Sequence, residues 1–373
     1  MGEQAAPGKF ALIGHPPDAE LFRTYMKYLK PDKTFDDDLI IKLFEWTPAY
    51  KVKEWKNYSL DYKEFLSGIM IMVPFLPEMK DIKIREVTSK IEQALSIAKE
   101  NNCTVASLGA FTSIVIQGRE RELADKYQIK LTSGNTLTAA LTIKSIEEIT
   151  NRLGIDLHDQ TMGIIGASGD IGGGCVGYFC DKVKKMVLSA RGIIPLKETI
   201  NKHKNDIACE IEISEDNLEV IKKARIIIFA TSAYQPLFSL DDFRSGTIVC
   251  DVSSPLNVKS NGRTRNDIFL FHGGIASIPM ELNPGFDIGT VAVNTFYGCQ
   301  IEGIMIAQDD SMPCSWGRGN ISREKIGMYL EKIRKNPYLH VAFTEGNWNY
   351  TDQELNKYKK RWDFYRRENI SYG

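Results

Sequence analysis

From Gln160 onward, short apolar runs rich in β-branched residues alternate with stretches of helical spacing. The runs predict strands at Thr161–Gly166, Met186–Ala190, Cys209–Ile213, Arg225–Ala230, Thr247–Val252 and Ile268–Phe271. Helical spacing at Pro195–Lys204 and Asp216–Ala224 separates the earlier strands. Six strands with intervening helices describe an α/β fold, a Rossmann-like doubly wound parallel sheet. A ligand of such a sheet lies across the carboxyl ends of its strands.

Upstream, the pattern predicts a short strand at Phe10–Ile13 and a helix at Asp81–Glu100. It ends in a helix at Thr136–Leu153, whose apolar stripe includes Leu137, Leu141, Ile146 and Leu153. That helix runs straight into the first strand of the sheet and reads as a connector. Downstream, helical spacing covers Thr290–Ala307 and Ser322–Lys335, and a polar, aromatic tail follows Asn336. The tail carries a basic cluster at Lys357, Lys359, Lys360, Arg361, Arg366 and Arg367, which reads as a solvated helix face. The chain thus divides into an N-terminal α/β substrate domain (1–155), a nucleotide domain (156–290) and a C-terminal helical segment (291–373).

Composition narrows the class. Of 373 residues, 25% are charged and the formal net charge is −1, which argues against a nucleic-acid binder. No apolar run reaches the ~18 residues a membrane span needs. The segment Met1–Lys9 has no apolar core of the kind a signal peptide requires, so a cytoplasmic protein is expected. Seven scattered cysteines without metal-type spacing fit reduced thiols, and the five histidines are isolated, so no metal site is expected.

The stretch Gly166-Ala167-Ser168-Gly169-Asp170-Ile171-Gly172 lies between the first strand and a helical stretch around Val176–Val183. Glycines there let a pyrophosphate approach the free N–H groups of a helix start, because no Cβ intervenes. The second strand ends in Ser189-Ala190-Arg191 instead of the acidic residue that binds a ribose 2′-hydroxyl. A hydroxyl and a guanidinium suit a 2′-phosphate, so the cofactor expected is NADPH. A Tyr-x-x-x-Lys pair, Tyr178 and Lys182, sits in the helix after the glycine loop, the wrong place for alcohol chemistry. Cys299, in Tyr297-Gly298-Cys299-Gln300-Ile301-Glu302, reads by composition as a small core residue. A thiolate there would also suit attack on a thioester.

Several blocks together resemble the NADPH-dependent long-chain acyl-acyl-carrier-protein reductases of the cyanobacterial alkane pathway, which form fatty aldehydes. The blocks include Leu12-Ile13-Gly14-His15, Phe75-Leu76-Pro77-Glu78-Met79, Ser107 to Ile114, and Thr132-Ser133-Gly134-Asn135-Thr136. The glycine loop, Leu188 to Arg191, Gly273-Gly274 and Ser315-Trp316-Gly317-Arg318 complete them. The resemblance spans Phe10 to about Lys335. It implies that Cys299, in a Cys-x-x-Glu element with Glu302, is the nucleophile of a covalent, ping-pong reduction.

Supporting catalytic candidates are His15, Glu78, Ser113 and Asn135, with Thr112 and Thr136 as further donors; the same residues also suit loop shaping and helix capping. The expected cofactor-binding set is Gly166, Ser168, Gly169, Asp170, Ile171, Gly172, Ser189, Arg191, Thr231 and Gly273. Implied partners are an acyl carrier protein or coenzyme A thioester and an aldehyde-consuming enzyme. The chain departs from the family pattern at His272, at Gly173-Gly174, in extra residues around Lys30–Asp38, and in the tail beyond about Val341. Two other readings fit the same fold: a shikimate-type NADP-dependent dehydrogenase of a small hydroxy compound, and a non-catalytic NADPH-binding protein.

Overall fold

The computed structural model describes residues 8–16, 18–77, 83–109, 111–233, 236–260, 265–280, 282, 294–317, 319–345 and 348–367. The chain forms two compact units. One comprises residues 1–137, 277–320 and 332–340; the other comprises 138–276, 321–331 and 341–373. This division differs from the sequence-based boundaries near 155 and 290, and both units are built from discontinuous segments.

The first unit holds a five-stranded sheet. Its strands are β1 (Lys9–Gly14), β2 (Tyr50–Tyr58), β3 (Leu66–Met72), β4 (Val105–Leu108) and β5 (Lys130–Thr132), in the order β2-β3-β1-β4-β5. Only β2 runs antiparallel to its neighbour. The 2.0-residue period of a strand sends Ala11 and Ile13 to one face and Phe10 and Leu12 to the other. On the Ala11 face, α3 (Ile84–Glu100) and α5 (Glu120–Tyr127) bury Ile91, Ala94, Leu95 and Leu123 against Ile69, Ile71 and Ala106. Two further helices, α1 (Ala19–Leu29) and α2 (Asp37–Trp46), precede β2 and share a small cluster of Phe22, Ile40, Phe44 and Leu76. A short helix, α4 (Phe111–Val115), follows β4. The first turn of α6 (Asn135–Leu153) closes this stretch, and the rest of α6 belongs to the second unit.

The second unit is built on β6 (Thr161–Ile165), β7 (Lys185–Ser189), β8 (Glu210–Ile213) and β9 (Ile226–Phe229), with α7 (Asp170–Phe179), α8 (Ile193–Lys202) and α9 (Asn217–Lys223) between them. A two-stranded ribbon, β10 (Phe238–Ser239) with β12 (Val258–Lys259), flanks β11 (Ile248–Asp251), and β13 (Phe269–His272) completes the main sheet. Its order is β13-β11-β9-β6-β7-β8, all parallel. Renumbered within the unit this is 3-2-1-4-5-6 read from the other edge, the Rossmann order with its switch point between β6 and β9. Helix α7 begins at the glycine loop itself, earlier than the Val176 start its apolar run suggested, because Gly169 takes the extended N-cap conformation. Gly174 lets α7 pack closely: a Cβ there would lie 3.1 Å from Ile321 and 3.2 Å from Ile326.

The tail folds too. Helix α12 (Asp352–Arg367) buries Leu355, Tyr358 and Trp362, and the Tyr358 hydroxyl donates to the Thr247 carbonyl at 3.0 Å. Phe269 on the edge strand β13 packs in tilted ring contacts with Phe343, Tyr350 and Tyr358, so the tail covers an edge that would otherwise be open to pairing. Lys357, Lys359 and Lys360 of the basic cluster stay exposed, while Arg361 donates to the Asn266 carbonyl.

Two helices remain. α10 (Gly298–Gln308) belongs to the first unit, and α11 (Arg323–Lys335) follows it. α10 lies on the Phe10 face of the first sheet, where Gly303 permits close approach: a Cβ on it would fall 2.1 Å from the Ser107 hydroxyl of β4. The helix expected over Thr290–Ala307 therefore starts only at Gly298. Asn294 has a φ of 59°, Thr295–Tyr297 is extended, and the Tyr297 N–H donates to the Gln300 side chain at 3.2 Å, which fixes the helix start. Cys299 thus sits in the first turn, not mid-helix. Among the described residues no helix is long and apolar enough to cross a membrane.

Candidate functional site

In the first unit, β1, β4 and β5 are parallel, so the segments after them share one edge of the sheet. His15 follows β1, α4 with Ser113 follows β4, and Thr132-Ser133-Gly134-Asn135 follows β5. Cys299 joins this edge by direct packing. Gly134 has a φ of 71°, and a Cβ on it would lie 2.0 Å from the Cys299 Cα and 2.8 Å from its Cβ. No side chain other than hydrogen fits there, which is the physical reason for a glycine at this turn.

Cys299 is half-buried and is not in a disulfide. It occupies the first turn of α10, where backbone N–H groups lack helical acceptors and the helix dipole is positive. An anion formed on sulfur there is stabilised by the helix, one of the ways a cysteine becomes a nucleophile.

One turn further on, Glu302 is fully buried. Its carboxylate accepts from the Thr132 hydroxyl, from the Leu137 N–H at 2.7 Å, and from the Ser315 hydroxyl at 2.7 Å and N–H at 3.3 Å. Burial pushes its carboxyl upward and these donors oppose that shift. All four partners donate, so the set is matched to the ionised form. Ser315 has a single hydroxyl proton, which goes to Glu302; the Thr136 hydroxyl then donates to Ser315 at 2.6 Å, and the Thr136 N–H adds a bond of 2.9 Å. Sequence reasoning noticed Glu302 only as part of a spacing. The signals for Thr132 and Ser315 were their places in the resembling blocks.

His15 follows β1 and bonds backbone through both ring nitrogens. The Phe111 N–H donates to Nε2 at 3.1 Å, so Nδ1 carries the hydrogen and donates to the Pro16 carbonyl at 2.7 Å. Burial lowers its pKa to about 4. Through these two bonds the ring holds the start of α4. Ser113 is half-buried on α4 and Asn135 half-buried at the first position of α6. Glu78 lies outside the described residues.

The second unit carries a dinucleotide cradle. Gly166 has a φ of 88°, and a Cβ on it would lie 2.3 Å from the Ala230 carbonyl oxygen, across the switch point between β6 and β9. A Cβ on Gly172 would meet the Gly166 carbonyl at 2.3 Å. Only glycines allow this turn, and Gly169-Asp170-Ile171 then opens α7 with its first N–H groups free of helical partners. Ser168 is half-buried and Gly169 exposed at the rim. Asp170 supplies a negative charge to the helix start.

At the ends of the neighbouring strands the expected residues divide. Arg191 is exposed after β7. Ser189 is 1% exposed, and its hydroxyl donates to Asn217 at the start of α9 at 2.7 Å. The Thr231 hydroxyl donates to Asn257 at 2.6 Å and its N–H to Ser253 at 3.2 Å. That loop is held by Asp251, which accepts the N–H groups of Ser253, Asn257 and Val258 at 2.7–3.0 Å. Burial raises Asp251 to about 6 despite those donors. Sequence reading missed this clamp, for which a lone aspartate at a strand end is a weak signal. Gly273 is a packing glycine: a Cβ there would strike Cys250 at 2.5 Å and Val252 at 2.6 Å. His272, half-buried beside it, is lowered to about 4 by burial.

Comparison with known proteins matches both units. The Shikimate / quinate 5-dehydrogenase family model matches residues 144–272, the region of the cradle. Along most of its length the chain is similar to a long-chain acyl-[acyl-carrier-protein] reductase of Synechococcus elongatus, 25% identical and covering 89% of this chain and 99% of the relative. It is 23% identical to the aminotransferase PigE of a Serratia species over 86% of this chain, and spans 37% of that relative. A solved structure of L-tryptophan dehydrogenase from Nostoc punctiforme aligns over 97% of this chain and 90% of its own, at 11% identity and a TM-score of 0.41.

Proposed function

We propose that the protein is an NADPH-dependent oxidoreductase that converts a fatty acyl thioester, carried on acyl carrier protein or coenzyme A, to the aldehyde through an acyl-cysteine on Cys299. The observation that carries this reading is the seat of Cys299: the first turn of α10, clasped by the Gly134 turn at the carboxyl edge of a parallel sheet. Similarity to the Synechococcus reductase along 89% of the chain supports the substrate class.

In this reading the Cys299 thiolate adds to the thioester carbonyl, and collapse of the tetrahedral adduct expels the carrier thiolate, which takes up a proton. Ser113 on α4 and Asn135 at the start of α6, both half-buried, supply donors for the oxyanion, an effect typically worth about 3 kcal/mol per donor. His15 positions the start of α4. When bound, the dinucleotide supplies hydride to the acyl carbon. Cys299 is released as thiolate when the aldehyde departs, ready for a second turnover.

The glycine turn and the first N–H groups of α7 hold the pyrophosphate, and exposed Arg191 pairs with the 2′-phosphate. Thr231, fixed by Asn257 and Ser253, shapes the neighbouring wall.

The test is NADPH consumption across thioesters of varied chain length on both carriers, with product identified by mass spectrometry. Aldehyde formation with Cys299 intact and its absence in Cys299→Ala is the expected result. NADP⁺ reduction by small hydroxy compounds, with no thioester turnover, would support the shikimate-type dehydrogenase instead.

A further inference from the structure

A buried carboxylate with no cationic partner among the described residues is an expensive way to fill a helix–sheet interface; an apolar side chain of similar volume would cost less. Glu302 nevertheless stands fully buried, one helical turn below Cys299. Residues three apart on a helix are neighbours on one face, and both side chains meet the same chain segment. Thr132 and Leu137, at the two ends of that segment, donate to Glu302, while Gly134 between them packs on the Cys299 backbone. Ser315, 13 residues after Glu302, donates to the same carboxylate and bonds Thr136. The carboxylate therefore gathers both ends of the turn that touches the sulfur-bearing residue. A hydrophobic contact would bury the same area without fixing the turn's direction.

We propose that Glu302 is the positioning residue of the Cys299 site, holding the Thr132–Leu137 segment so that its turn fixes the first turn of α10 for attack. This rests on the reading of Cys299 as the nucleophile. Glu302→Gln preserves volume but places an NH₂ group among donors, so at least one hydrogen bond is lost and a donor is left facing a donor.

Three readouts on the full chain separate positioning from mere folding. Single-turnover acylation of Cys299 by palmitoyl-coenzyme A demands geometry, and a misplacement on the order of 1 Å costs about 100-fold, so Glu302→Gln is expected to slow it about 10- to 100-fold. Alkylation of Cys299 by iodoacetamide tolerates geometry and is expected to stay within about threefold. Amide hydrogen exchange over residues 132–137 is expected to speed about tenfold. Parallel loss of acylation and alkylation, or no change in acylation with unchanged exchange, overturns the proposal.

If the wild-type chain takes no acyl group from any thioester, the reading of the reaction fails; the exchange measurement still decides whether Glu302 holds the turn. Should Glu302→Gln not fold, Thr132→Val and Thr132→Ser replace it. Acylation lowered about 5- to 10-fold in Val and restored in Ser supports positioning, and equal rates in the two overturn it.

Discussion

The two units hold their candidate sites in opposite ways. The dinucleotide cradle is local: seven consecutive residues, Gly166–Gly172, form the turn, and its nearest wall is the end of the adjacent strand β9. The cysteine site is assembled from residues distant in sequence. Thr132–Leu137, Cys299–Glu302 and Ser315 meet through one buried carboxylate and one glycine contact. A local site depends on backbone conformations that single residues permit. An assembled site depends on contacts that any of its contributing segments can spoil.

Glycine substitutions should break the two sites independently. Gly166→Ala forces an L-residue to a φ of 88° and a Cβ to 2.3 Å from the Ala230 carbonyl. Dinucleotide affinity should fall about 100-fold or more, as titration followed by fluorescence would show, while acylation of Cys299 persists. Gly134→Ala places a Cβ 2.0 Å from the Cys299 Cα. It should lower acylation about 100-fold and leave dinucleotide affinity within about twofold. If either substitution removes both functions equally, the independence of the sites is wrong.

A smaller effect sharpens the cofactor side. Arg191→Ala should weaken NADPH binding about tenfold and leave NADH binding nearly unchanged, since only the former carries the 2′-phosphate that the guanidinium pairs with. Equal weakening of both would remove Arg191 from that role.

The smallest effect concerns acid. His15 in one unit and His272 in the other are half-buried rings, each lowered to about 4 from an ordinary value of 6.5 by loss of solvent. Unfolding lets them take up protons between those values, so their contribution to stability is complete above pH 6.5 and is lost as pH falls toward 4. Asp251, raised to about 6, acts with the opposite sign below that value, since its folded form keeps a proton the unfolded form releases. The unfolding free energy from denaturant titration should therefore drop between pH 7 and 5, by about 2 kcal/mol for each histidine, with about 1 kcal/mol returned by Asp251. His272→Asn should flatten part of that slope.

Sequence patterning found all six strands of the second sheet within about two residues of their ends, because each is a short apolar run bounded by polar turns. The glycine turn was legible for the same reason. The first sheet was largely hidden. Edge strand β2, Tyr50–Tyr58, is rich in lysine, and β4 and β5 have only 4 and 3 residues, too short for any period to show. The start of α10 was missed because the apolar run before it is as compatible with helix as with strand. Cys299 and Glu302 were found by resemblance, not by pattern. What sequence cannot show is that a buried carboxylate and a glycine Cα, far apart in the chain from the residues they touch, share one turn.

The most direct test is intact-mass and peptide analysis of the full chain incubated with palmitoyl-coenzyme A in the absence of NADPH. The account predicts one added acyl mass on the peptide containing Cys299, discharged as aldehyde when NADPH is added. No adduct on Cys299, or aldehyde formed at full rate by Cys299→Ala, would contradict it.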